Sequence, residues 1–251
     1  MVFCTLCCTF GDEMSNSYFE FKQFTVRQDR CAMKVGTDGT LLGAWAEVPQ
    51  SNGHLRILDI GTGTGLIALM MAQRFTEAHV TAIDIDPDAV AQARENVEAS
   101  PFSNRIRVLE CDLSYMADDA VFDAVVCNPP YFVNSLECPD DQRTTARHTV
   151  SLTYQTLMES AFRLLSETGI FSVVIPTECR PQLEAEAHLA GFFPSRLCLV
   201  RTTPRKSPKR CLMELRKLPV SEYLQSTGVI ETLPQIRSPW YQQLTEDFYL
   251  K

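Results

Sequence analysis

The sequence contains no apolar run near the roughly 18 residues needed to cross a bilayer, so no helical membrane anchor is expected. Its first segment, MVFCTLCCTFGDEM, lacks a basic stretch ahead of its apolar residues and does not read as a secretory signal. Cysteine is too sparse for a disulfide scaffold, at 10 of 251 residues, about 4%. Cys111, Cys127 and Cys198 sit singly in apolar stretches, where cysteine behaves as a small hydrophobe. Cys4, Cys7 and Cys8 form one CxxC without a second ligand pair. His54, His79, His148 and His188 are scattered, so no metal cluster is expected. There is no internal repeat and no low-complexity block. A cytoplasmic protein is the resulting expectation. Residues 1–17 read as an unstructured N-terminus, with Met14 offering an alternative start.

What is present is ordinary for a folded chain: 45% hydrophobic and 22% charged residues. The net charge of −8 argues at first sight against a nucleic-acid partner. Its distribution points the other way. Residues 196–217 hold Arg196, Arg201, Arg205, Lys206, Lys209, Arg210, Arg216 and Lys217 against Glu214 alone, a local charge of +7 in a chain otherwise at −15. Such a patch can steer a polyanion even on an acidic protein, although a solvated loop has the same composition.

From His54 onward, short apolar β-rich runs alternate with helical stretches, the pattern of a parallel α/β sheet. LRILDI (55–60), HVTAIDI (79–85), RIRVLECD (105–112), FDAVVCNPPY (122–131) and GIFSVVIP (169–176) read as five strands. Two more, about 193–203 and 210–218, flank the basic turn TPRKSPKR and suit an antiparallel hairpin. Asp86 with Pro87 opens a helix, and 151–166 has helical periodicity. The expected organisation is one domain over 18–251, with a cap segment (18–50), a core sheet (51–218) and an extension (219–251). SPWYQQLTEDFYL within that extension reads as a closing helix burying Trp240, Phe248 and Tyr249.

Two motifs carry chemistry. Asp59-Ile60-Gly61-Thr62-Gly63-Thr64-Gly65 is a glycine-rich turn directly after a buried strand. Glycines there permit a sharp turn and close approach to a ligand. The dinucleotide fingerprint would need glycine where Leu66 stands. The pattern D-x-G-x-G-x-G resembles motif I of the S-adenosylmethionine-dependent methyltransferases. Asp84, at the next strand end, offers a carboxylate that can accept from both ribose hydroxyls. Asp112 closes the third strand, where it would reach the adenine. The second motif is Asn128-Pro129-Pro130-Tyr131, whose prolines end strand pairing at the edge where open α/β sheets bind ligands. It resembles motif IV of enzymes that methylate planar amino groups. The side-chain oxygen of Asn128 and the carbonyl of Pro129 can accept both N–H bonds of such an amine, while Tyr131 stacks on its flat face.

FKQFTVRQDRCAMKVGTDGTLLGAWA (21–46), with LDIGTGTGLIALMMAQR, NPPYF, ECPDDQRTTARHT and the terminal EDFYL, closely resembles the bacterial tRNA-Val adenine-N(6) methyltransferases. The resemblance covers most of residues 18–251. It implies a Rossmann-like class I fold, a seven-stranded mostly parallel sheet with an antiparallel last strand and helices on both faces. It implies S-adenosylmethionine as cofactor, held by Asp59, Gly61, Thr62, Gly63, Gly65, Asp84, Ile85, Asp112, Leu113 and Asn128. Lys34, Thr37, Asp38 and Leu41 are implied to line the same pocket, and no metal is called for. The implied reaction is methylation of the N(6) amine of the adenine 3′ to the anticodon of tRNA-Val. Arg201, Arg205, Lys206, Lys209 and Arg210, with Arg143 and Arg147, are then the expected phosphate contacts. The chain departs from the pattern at Phe132, where related chains can carry a second tyrosine.

Three other readings compete. A sibling enzyme would methylate guanine-N(2) of rRNA, glutamine of a release factor, or DNA adenine. The basic turn disfavours a peptide groove, and some 33 residues after the sheet (219–251) leave little room for a DNA-recognition region. A non-catalytic RNA-binding protein would not need Asp59, Gly61, Asp84, Asn128 and Tyr131 all intact. A nicotinamide oxidoreductase is disfavoured by the glycine spacing and by NPPY. No DNA and no membrane partner is expected.

Overall fold

The computed structural model describes residues 17–31, 33–51, 53–117, 119, 121–130 and 152–250. The chain begins with a small antiparallel pair, β1 (Tyr18–Glu20) and β2 (Thr25–Arg27), followed by α1 (Thr37–Trp45). The alternating core then runs β3 (Arg56–Ile60), α2 (Leu66–Arg74), β4 (His79–Asp84), α3 (Pro87–Glu98), β5 (Ile106–Glu110), β6 (Phe122–Cys127), α4 (Tyr154–Leu164), β7 (Leu165–Pro176) and α5 (Arg180–Ala190). It ends with β8 (Phe193–Arg201), β9 (Arg210–Arg216), β10 (Leu224–Val229), the short pair β11 (Glu231–Leu233) and β12 (Ile236–Arg237), and α6 (Pro239–Thr245).

The main sheet has the order β10-β8-β9-β7-β6-β3-β4-β5. Every strand runs the same way except β9, which is antiparallel to both β7 and β8. The expected hairpin of the basic turn is therefore present. The sheet has eight strands where seven were expected, because β10 adds a parallel edge to β8. Its sequence, LQSTGV, gave no strand signal, since its first four residues are exposed and an edge strand needs no apolar alternation. β7 also starts earlier than residue 169, at Leu165.

Strand residues alternate between two cores. Ile57, Val80, Ala82, Ala124 and Val126 pack with α1, α2, α3 and the buried Tyr241 and Phe248. Leu58, Ile83, Val125, Phe171 and Val173 face the other way, onto α4 and α5. The sheet is thus covered on both sides, which explains why its strands read as near-continuous apolar runs. Asp86 caps α3 as expected, accepting from the Asp88 N–H at 2.9 Å with Pro87 in the first turn. The closing helix is shorter than expected: α6 ends at Thr245, and Phe248 and Tyr249 lie beyond it. Phe248 is buried, Tyr249 pairs with Phe21 as an isolated bridge, and the Lys22 N–H donates to the Phe248 carbonyl at 2.8 Å. The segment after α6 is thereby fastened to the turn between β1 and β2.

Candidate active site

Four strand ends converge on one edge of the sheet: those of β6, β3, β4 and β5, which are neighbours in that order. After β3 the chain turns through Gly61 (φ +66°), Gly63 (φ +55°) and Gly65 (φ +82°), all left-handed conformations that side chains with a Cβ resist. A Cβ on Gly61 or Gly63 would meet nothing within 4 Å. These two positions are open because the backbone itself forms the wall of a cleft of about 420 Å³. Gly65 serves packing instead, with a Cβ there 3.4 Å from Ala93.

Asp59 and Thr62 hold the turn from below. The Thr62 hydroxyl donates to Asp59 Oδ2 at 2.6 Å, and the Ala68 N–H donates to the same oxygen at 3.1 Å. Asp59 is fully buried, and its Oδ1 has no hydrogen-bond partner among the described residues. Burial raises its pKa to about 7, beyond what those two hydrogen bonds lower, and Asp84 raises it slightly further. Asp84 lines the cleft and fixes two neighbours: its Oδ2 accepts from the Gly63 N–H at 2.8 Å, its Oδ1 from Asp86 at 3.0 Å. Asp112 accepts from the Ser114 N–H at 2.8 Å and also lines the cleft.

At the end of β6, Asn128 lines the cleft beside Pro130, and its Oδ1 is buried without a hydrogen-bond partner among the described residues. An acceptor left in that state costs about 1–3 kcal/mol, so its retention points to a donor brought by a ligand. The cleft therefore joins carboxylates at Asp84 and Asp112, bare backbone at Gly61 and Gly63, apolar walls at Ile60, Ile83, Ile85 and Leu113, and one orphaned amide oxygen. That donor set fits an adenosine-bearing cofactor: carboxylates for ribose hydroxyls, aliphatic side chains for a flat ring, and room where side chains would intrude.

The expected site residues divide accordingly. Gly61, Gly63, Asp84, Ile85, Asp112, Leu113, Asn128 and Pro130 meet at the cleft. Pro129, between two of them in sequence, is buried. Asp59, Thr62 and Gly65 frame the turn. Lys34, Thr37, Asp38 and Leu41 are placed elsewhere. Leu41 is fully buried in the core, Thr37 and Lys34 are exposed, and Asp38 is paired with Arg210 at 2.6 Å. The segment does supply a wall, through Cys31 and Met33. Burial, with Asp84 and Asp86 nearby, pushes the Cys31 thiol up to about 11, so it faces the cleft as a neutral group. Cys111 also lines the cleft, where the sequence suggested only a small core hydrophobe. Tyr131, Arg143, Arg147, Phe132 and His148 lie outside the described residues.

The basic cluster is smaller than its count. Arg196 and Arg216 are each 3.1 Å from the buried Glu214, Lys217 pairs with Glu167 at 3.6 Å, and Arg210 is taken by Asp38. Arg205, Lys206 and Lys209 are exposed and make no ion pair among the described residues. Arg201, half-buried, donates to the Pro204 carbonyl at 3.3 Å. This turn joins β8 to β9 at the same sheet edge as the cleft, with β9 two strands from β6, roughly 10 Å away.

The family described as "Methyltransferase small domain" matches residues 44–195. A protein of Phocaeicola vulgatus named "tRNA1(Val) (adenine(37)-N6)-methyltransferase" is 49% identical over 237 residues, covering 94% of this chain and 99% of that protein. Proteins of the same name from Parabacteroides distasonis and Trichodesmium erythraeum are 48% and 45% identical, each over 95% of this chain and all of theirs. The chain belongs to this methyltransferase family. Among solved structures, a predicted O-methyltransferase of Agrobacterium tumefaciens superposes with a TM-score of 0.64 at 22% identity, over 84% of this chain and 96% of that one. A glycopeptide N-methyltransferase bound to S-adenosylmethionine superposes with a TM-score of 0.54 at 16% identity, over 74% of this chain and 100% of that one. At those identities the likeness concerns the fold, which is that of the S-adenosylmethionine-dependent class I methyltransferases.

Proposed function

We propose that this enzyme methylates the exocyclic N(6) amine of the adenine 3′ to the anticodon in tRNA-Val, using S-adenosylmethionine. The observation that carries the reading is the buried, unpartnered Oδ1 of Asn128 at the rim of the cleft. The names of relatives at 43–49% identity supply the substrate.

When bound, the cofactor supplies a methyl group on an electron-poor sulfur. Asp84, Asp112, Gly61, Gly63, Ile85 and Leu113 are the residues that would hold it. The amine of adenine is a poor nucleophile, because its lone pair is delocalised into the ring. Asn128 Oδ1 and the Pro129 carbonyl accept its two N–H bonds, and those bonds strengthen as positive charge develops on nitrogen. Tyr131, next in the sequence, is the residue assigned to stack on the base. What remains is positioning, with the nitrogen held in line with the methyl group. The adenine of an anticodon loop is already unpaired, so presenting it costs a few kcal/mol at most.

In this reading Arg205, Lys206 and Lys209 are the phosphate contacts, helped by Arg201, with Arg210 held back by its Asp38 pair; the sequence adds Arg143 and Arg147 as candidates. No helix among the described residues is long and apolar enough to cross a membrane, and a tRNA substrate supports a cytoplasmic enzyme. The test is transfer from labelled S-adenosylmethionine to bulk tRNA lacking the modification, followed by nucleoside analysis. Label in N(6)-methyladenosine supports the proposal. Label in rRNA or protein and none in tRNA would keep the chemistry and overturn the substrate.

A further inference from the structure

Asn96 sits on α3, only 1% exposed, in a position that an aliphatic side chain would fill at less desolvation cost. Its amide is fully engaged. Oδ1 accepts from the Arg27 N–H at 2.8 Å, while Nδ2 donates to the Arg27 carbonyl at 2.9 Å and to the Thr64 carbonyl at 2.8 Å. One side chain thus pairs with both backbone groups of a residue in β2, as a neighbouring strand would, and also grips the glycine turn. Gln92, one helical turn earlier and fully buried, repeats the device: its Oε1 accepts from the Arg30 N–H at 3.1 Å. Gln28, also buried, accepts from the Val35 N–H at 2.7 Å. Between the ties at Arg30 and Val35 the chain passes the cleft, and there Cys31 and Met33 form part of its lining.

We propose that Asn96 is a positioning residue for the cofactor cleft, holding the wall at Cys31 and Met33 and the turn at Gly61 and Gly63 at a fixed separation. The proposal rests on the cofactor reading above. It makes the N-terminal segment a preordered part of the site: the helix that packs against the glycine turn also sets where the opposite wall stands. Asn96 touches no reacting atom, so it governs cofactor affinity and leaves the chemical step alone.

The test is calorimetric binding of S-adenosylhomocysteine to the full chain, with steady-state kinetics alongside. Asn96→Ala leaves the Thr64 carbonyl and both Arg27 groups unpaired, and the Kd for S-adenosylhomocysteine is expected to rise about tenfold. The KM for S-adenosylmethionine should rise by a similar factor, while kcat at saturating cofactor and the KM for tRNA stay within about twofold. A purely structural role would lower the melting temperature and leave the affinity of the folded protein unchanged, and that result overturns the proposal. Should Asn96→Ala fail to fold, Gln92→Ala cuts the tie at Arg30 alone. A weaker but clear loss of affinity is expected there, and wild-type affinity refutes the idea. If the wild-type enzyme itself binds no S-adenosylhomocysteine, the cofactor reading fails and takes this proposal with it. Wild-type binding combined with unchanged affinity in both variants removes the positioning role alone.

Discussion

Asp59 ties the glycine turn to a titration that can be measured. In the folded protein its carboxyl is buried and ionises only near pH 7, whereas in the unfolded chain it ionises near 3.8. Between those values the unfolded state releases a proton that the native state keeps. Native stability from this group is therefore fully present below about pH 4, falls as pH rises through that window, and is constant above it. Raising a pKa by one unit corresponds to about 1.4 kcal/mol, so the full loss is about 4 kcal/mol. Asp59→Asn cannot ionise, and its amide oxygen can accept from Thr62 and Ala68 as Oδ2 does. The stability of the variant minus that of wild type should therefore climb by ~4 kcal/mol between pH 4 and 8. For a chain of this size that is about 10 °C in melting temperature. Urea unfolding of both proteins across this range measures it, since all other titrating groups cancel in the difference. A difference that stays flat with pH would show that Asp59 keeps an ordinary carboxylate pKa, and the argument from burial would be wrong.

Replacing Arg205, Lys206 and Lys209 together with alanine should weaken tRNA binding and reduce the salt slope by about 2–3, with S-adenosylhomocysteine affinity unchanged. Unchanged tRNA affinity would show that the RNA lies elsewhere. A Cβ on Gly228 would lie 2.2–2.5 Å from three ring atoms of Trp240, so Gly228→Ala should cost about 1–3 kcal/mol in chemical denaturation and loosen α6. Glu214 is 4% exposed and accepts from Ser195, Arg196 and Arg216. Glu214→Gln leaves two guanidinium groups around a neutral amide, and a loss of ~3 kcal/mol is expected from urea unfolding.

Much of the fold is legible in the residues because a parallel sheet covered on both faces writes itself as apolar runs ending in polar residues. Asp59, Asp84 and Asn128 mark three such ends, and a cleft forms where the ends converge. The eighth strand was hidden for the opposite reason: at an edge, Leu224–Thr227 face solvent and carry no pattern. The cap segment is harder to read. KVGTDGTLLG is distinctive as a string, yet it folds mostly into α1, whose Leu41 is a core residue, and the cleft wall lies just before it at Cys31 and Met33. Nothing in the composition distinguishes those two from other small apolar residues. Asn96 and Gln92, two polar side chains at i and i+4 on the buried side of α3, were the available signal. The basic count overstates the free positive charge, because Glu214 within the cluster and Asp38 and Glu167 from elsewhere in the sequence pair with four of its eight cations.

The account stands on Asn128. Single-turnover methyl transfer to unmodified tRNA should fall by about 100-fold or more in Asn128→Ala, the usual cost of removing one group that stabilises charge in the transition state. The affinity for tRNA should stay near wild type, because the phosphate contacts are elsewhere. Transfer at the wild-type rate in that variant would contradict the account, because the unpartnered oxygen would then have no part in the reaction.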